Sequence, residues 1–153
     1  MITQLPLPSC VFVDRFVEDL SVDSKQENED KRRALQDFDS VSGYILLGDP
    51  GMGKSTAFAI AASRCGATVV TASDFIAGLP VDETLPSAPL FIDALDEIRA
   101  GAVDEIGVLQ QIRQRLVREN IKSFRVSCRE FDWLGDSDRR KLNTVLTEGE
   151  NLH

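Results

Sequence analysis

From Tyr44 onward, apolar residues fall into short runs set apart by longer, more polar segments. Tyr44–Leu47 (YILL, ended by Gly48), Ala67–Thr71 (ATVVT), Leu90–Asp93 (LFID) and Ser123–Ser127 (SFRVS) each read as a buried strand. Helical patterns separate them. Lys54–Cys65 is Ala-rich, lacks breakers and has Gly66 in the place of a C-terminal stop. Ser73–Ala77 has room for one or two turns. In Asp104–Asn120, Ile106, Leu109, Ile112 and Leu116 recur on one face. Asp104 and Glu105 open that segment, and Arg113, Arg115 and Arg118 lie toward its end, as the helix dipole prefers. A polar helix is expected over Ser137–Leu146, and Leu79–Pro89, with three prolines, is a loop. Strands apolar on both faces, alternating with helices, imply a mostly parallel sheet covered on two sides, hence a three-layer α/β fold. Periodicity says nothing about strand order.

Residues 1–40 have a different texture and read as an N-terminal extension, with residues 41–153 as the core. An apolar stretch, Cys10–Phe16, leads into Asp23–Arg33, where eight of eleven residues are charged, the mark of a solvated helix face or a loop. Ala34, Leu35 and Phe38 suggest a helix end that docks onto the core.

The 153-residue length fits one domain. A net charge of −8 argues against a general electrostatic footprint for nucleic acid but leaves room for a local basic site. Cys10, Cys65 and Cys128 form no CxxC pair and the lone His is His153, so a Cys/His zinc site is not expected and the thiols read as reduced. No run approaches the ~20 apolar residues that span a bilayer, and the N-terminus has no basic n-region. The expectation is a cytoplasmic protein without membrane contact.

Gly48-Asp49-Pro50-Gly51-Met52-Gly53-Lys54-Ser55 fits G-x-x-x-x-G-K-[ST] in full, after a predicted strand and opening a predicted helix. Glycines let such a loop turn its N–H groups inward on an anion, and the helix N-terminus adds partial positive charge. Lys54 then reaches the β- and γ-phosphates, Ser55 ligates Mg²⁺, and Thr56 faces the α-phosphate side. At average residue usage the pattern arises by chance in on the order of one chain in a hundred of this length.

The third strand ends in Asp93, a candidate Mg²⁺ ligand, followed by Ala94, Leu95, Asp96 and Glu97. Asp96 and Glu97 are both candidates for the carboxylate that orients an attacking water, and the sequence does not choose between them. The fourth strand leads into Ser127-Cys128-Arg129. A parallel sheet delivers the C-terminal ends of its strands to one rim, so Arg129 is a candidate sensor of a γ-phosphate. The plainer reading of Arg129 is an ion pair with Glu130, Asp132 or Asp136, and that of Cys128 is a small buried filler.

Taken together, GDPGMGKST, LFIDALDE and FRVSCREFDW resemble the NACHT-type branch of the STAND NTPases, bacterial members above all. In that family a small residue follows the magnesium Asp, with acids three and four places on, and the fourth strand ends in a Ser-Arg or Ser-Cys-Arg sensor. The resemblance runs from about Tyr44 to Trp133. It implies an ASCE-type P-loop NTPase core and a switch that binds ATP and Mg²⁺, oligomerises and hydrolyses slowly, often in defence or signalling. It also implies a fifth core strand, a helical lid and further domains. On that expectation this chain is a lobe lacking its last core strand and lid, with an apolar edge open to self-association or to docking of absent C-terminal domains.

Alternatives from other classes remain. A small-metabolite kinase needs an Arg-rich lid, for which Arg113–Arg118 is the only candidate, and its spacing fits a solvated helix face better. An AAA+ ATPase normally carries Glu directly after the magnesium Asp, where Ala94 stands here. A non-catalytic interaction fragment is disfavoured by intact Lys54, Ser55 and Asp93. No guanine-specifying N/T-K-x-D motif appears, which favours ATP.

Overall fold

The computed structural model describes residues 16–18, 32–81, 88–101 and 105–146. Cys10, Asp104 and His153, and most of the charged Asp23–Arg33 segment, lie outside them. Two short strands, β1 (Phe16–Glu18) and β2 (Arg32–Ala34), pair antiparallel. The main sheet holds β3 (Gly43–Leu47), β4 (Val69–Thr71), β5 (Leu90–Asp93) and β6 (Phe124–Cys128) in the order β3-β6-β5-β4, all parallel. The helices are α1 (Lys54–Arg64), α2 (Ala72–Ile76), α3 (Leu95–Gly101), α4 (Glu105–Arg118) and α5 (Asp136–Asn143).

Alternation along each strand divides the core into two clusters, one on each face of the sheet. On one face Leu90 and Ile92 of β5 and Phe124, Val126 and Cys128 of β6 pack with Phe75 of α2, Leu95 of α3, Leu109, Ile112 and Leu116 of α4, and Leu142 of α5. On the other, Tyr44 and Phe91 pack with Phe58, Ala57, Ala61 and Ala62 of α1. Leu35 and Phe38 join this second cluster. The helix end expected there is a single 3-10 turn, Leu35–Phe38, preceded by β2. The domain is therefore a three-layer α/β structure with its sheet apolar on both faces.

Helix boundaries follow from capping. Thr71 accepts a bond from the Asp74 N–H at 3.1 Å and caps α2, which starts at Ala72, one residue before Ser73. At the end of α1, Ala67 N–H returns to the Ala62 carbonyl at 2.8 Å while Gly66 takes φ 65°, the left-handed conformation that closes a Schellman motif. Asn120, at φ 55°, ends α4 in the same way, with Ile121 N–H on Leu116 carbonyl at 2.9 Å.

The α4 arginines correct one expectation. Arg115 is not on a solvated face. It is buried, stacks 4.4 Å over the Phe75 ring and donates to the carbonyls of Phe75 and Leu79 and to Glu119. It therefore supplies donors to the C-terminal end of α2, where backbone carbonyls have no helical partner. Arg125 does similar work at the far end of the sheet. It is buried against Tyr44 (4.8 Å to the ring) and donates to the carbonyls of Ser42 at 3.1 Å and Asp39 at 3.2 Å, tying the 39–42 segment to β6. Burial pushes the Tyr44 hydroxyl up to about 12 and lowers the Arg125 guanidinium from its usual value.

Among the described residues no helix is long and apolar enough to cross a membrane, and no strand pairs with the outer side of β3.

Candidate functional site

Parallel pairing decides which residues share the C-terminal rim of the sheet. Leu47 of β3 is in register with Cys128 of β6, and the Gly48 N–H donates to the Cys128 carbonyl at 3.3 Å. Arg129, the next residue, therefore leaves β6 beside the first residue of the glycine-rich loop. On its other side β6 pairs with β5, Val126 against Ile92. That register brings Ser127 level with Asp93. The three motifs separated in sequence converge because β6 lies between β3 and β5.

The loop from Gly48 to Ser55 turns back on itself through a Met52 N–H to Asp49 carbonyl bond of 3.2 Å. Gly51 (φ 80°) and Gly53 (φ 76°) take left-handed conformations that side chains resist. Gly53 is the N-cap of α1, with no side-chain cap and no acidic residue in the first turn. The first-turn donors of α1 are thus not taken up by a capping side chain, and this fits an anionic ligand. The Lys54 ammonium folds back over the loop, donating to the carbonyls of Gly48 at 2.5 Å and Asp49 at 3.1 Å. Ser55 and Thr56 are exposed at the start of α1, as are Asp49, Pro50 and Met52 in the loop.

At the end of β5, the Ser127 hydroxyl donates to Asp93 Oδ1 and accepts the Ala94 N–H at 2.9 Å. Ser127 thereby fixes both the carboxylate and the backbone turn after it. Ala94 sits at φ 64°, a conformation costing an L-residue roughly 1–2 kcal/mol. Such strain persists only where surroundings over-determine it, and here it starts α3 directly from the strand end. This helix was not anticipated. Its signal was Leu95 and Ile98 at helical spacing with Gly101 as a stop, hidden by the run of acids that reads as a loop.

Because α3 begins at Leu95, Asp96 and Glu97 point differently. Asp96 is buried and accepts from Arg129 Nε at 2.9 Å, whereas Glu97 is exposed. Arg129 is thus in an ion pair, but its partner is none of Glu130, Asp132 and Asp136. It is an acid 33 residues earlier, brought within reach by β5-β6 pairing. Behind this pair lies a second, fully buried one. Arg99 donates to Asp138 Oδ2 at 2.7 Å and to the Asp132 carbonyl, and Leu134 N–H bonds the same carboxylate oxygen at 2.9 Å. Nothing in the sequence pattern marked Arg99 or Asp138. Cys128 is buried beneath this network, and burial pushes its thiol up to about 12, so it acts as a filler rather than a nucleophile.

Among the described residues no three His, Cys, Asp or Glu side chains gather to hold a metal by themselves. Ser55 and Asp93 are oxygen donors of the kind Mg²⁺ uses when phosphate oxygens and water complete its shell. No protein-family model matches the chain, and no curated protein matches it either.

Proposed function

We propose that this chain is a P-loop nucleotide-binding module of the ASCE type, similar to the NACHT branch of STAND NTPases, which binds ATP with Mg²⁺ and hydrolyses it slowly or only with a partner. The observation that carries the reading is the convergence at one rim of the glycine-rich loop after β3, Asp93 at the end of β5 and Arg129 at the end of β6. The uncapped start of α1 adds to it, since its free donors suit a polyphosphate.

Each residue then has a distinct task. The loop N–H groups from Gly48 to Ser55 and the first-turn donors at Thr56 hold phosphate oxygens. Lys54 exchanges the carbonyls of Gly48 and Asp49 for the β- and γ-phosphates. Ser55 and Asp93 hold Mg²⁺, whose role when bound is to neutralise charge on the terminal phosphates. Ser127 keeps Asp93 aimed. Exposed Glu97, unlike Asp96, is open to orient a water and accept its proton. Burial of Arg115 takes one arginine out of the Arg113–Arg118 cluster, which counts against that cluster as the lid of a small-molecule kinase.

Calorimetric titration of Mg·ATP, ADP and GTP into the chain, with Lys54→Ala as control, tests the reading. Micromolar ATP binding that disappears in Lys54→Ala is expected. A folded wild type that binds no nucleotide, or a variant that binds equally well, refutes it.

A further inference from the structure

Arg129 stands between two places for an anion. Its Nε donates to Asp96 Oδ2 at 2.9 Å, while its backbone adjoins Gly48 at the mouth of the glycine-rich loop. The pair is lopsided: the Asp96 side chain is 8% exposed and that of Arg129 42%. The helix that carries the acid, α3, is also anchored from α5. One turn along α3, Arg99 is clamped to Asp138 on α5 and to the Asp132 carbonyl in the 3-10 turn after Arg129. Movement of Arg129 therefore needs no movement of α3, and a guanidinium leaving Asp96 abandons a buried carboxylate, which is costly.

We propose that Asp96 is a specificity-determining counterion: it holds Arg129 when no γ-phosphate is present and competes with the γ-phosphate for it, setting the balance between nucleoside triphosphate and diphosphate. This rests on the nucleotide-binding reading above and gives Asp96 a role apart from proton transfer. A diphosphate leaves the Asp96–Arg129 pair intact. A triphosphate draws Arg129 across the rim, and the free energy of breaking the pair is subtracted from its affinity.

The test titrates wild type, Asp96→Asn, Arg129→Gln and the double variant with ADP and with the non-hydrolysable β,γ-imido analogue of ATP, all with Mg²⁺. Asp96→Asn is expected to tighten the analogue about tenfold, the scale of one charged hydrogen bond, and to leave ADP within about twofold. Arg129→Gln weakens the analogue alone, and the double variant matches Arg129→Gln. In wild type, the Arg129 Nε–H resonance, assigned by its loss in Arg129→Gln, is expected to stay put with ADP and shift with the analogue. That measurement serves even if Asp96→Asn fails to fold. Equal effects on both nucleotides, or a resonance that shifts alike with both, overturns the proposal while leaving nucleotide binding intact. Absence of binding to wild type overturns both.

Discussion

Replacing Asp138 by asparagine keeps the shape of the side chain but removes its charge, leaving the Arg99 cation sealed in the interior. Both side chains are shut off from solvent, at 1% and 0% exposure. Arg99 Nε and Nη2 and Asp138 Oδ1 have no hydrogen-bond partner, so the ion pair and the Asp132 carbonyl are the main compensation for the guanidinium. Breaking a buried pair by removing one partner costs about 3–5 kcal/mol. An asparagine oxygen can still accept from Arg99 or from the Leu134 N–H, which argues for the lower end, about 3 kcal/mol. With a urea m-value of about 1–3 kcal/mol/M, the midpoint should fall by roughly 1–3 M at unchanged m. The double change Arg99→Met with Asp138→Leu should cost about as much or more, at about 2–6 kcal/mol, so no recovery is expected. Removing both charges is close to neutral in itself, but the Leu134 N–H and Asp132 carbonyl then lack partners, at about 1–3 kcal/mol each. Urea melts of the three proteins followed by circular dichroism make the comparison. A loss below about 1 kcal/mol for Asp138→Asn would refute the reasoning, because it would mean that the pair is not sealed from water.

Two further outcomes are expected. The Cys128 thiol rises from an ordinary 9.0 to about 12 on folding, mainly through burial, so its contribution is whole below pH 9 and is lost as pH climbs through 12. Stability should fall by about 2 kcal/mol by pH 10.5 from this group, with Tyr44 adding to the loss above pH 10, and Cys128→Ala should remove the larger part of the slope; parallel declines in the two proteins would contradict this. Ala94→Gly should leave stability unchanged or raise it by up to about 1 kcal/mol, since relief of the left-handed φ outweighs the added chain entropy of glycine. A thermal melt showing that Ala94→Gly loses more than about 1 kcal/mol would deny that the backbone there is strained.

Much of the fold was legible because burial on both faces leaves a plain mark. The four apolar runs became the four strands, with Ala67–Thr71 shortened to Val69–Thr71 and Ser123–Ser127 shifted by one residue to include Cys128. The helices over Lys54–Cys65 and Asp104–Asn120 differ from α1 and α4 by a residue or two at their ends, where capping rather than periodicity decides. Several short elements escaped. β1, β2 and the Glu130–Asp132 turn offer too few residues for a period, and α3 opens with acids that serve a helix start as readily as a loop.

The sequence by itself determined the parallel α/β class and the eight-residue glycine loop, because each depends on residues close along the chain: strand runs, a helix period, a fixed spacing before Lys54. Strand order, and with it the neighbours of Arg129, belonged to the tertiary structure. Only the insertion of β6 between β3 and β5 puts Ser127 on Asp93 and Arg129 on Asp96, and these contacts join residues more than thirty positions apart. The same holds for the buried arginines. Arg99, Arg115 and Arg125 are indistinguishable in sequence from solvated ones, since what allows their burial is a set of carbonyls and one carboxylate supplied from other elements. A charge can enter a core only when distant parts of the chain meet it there.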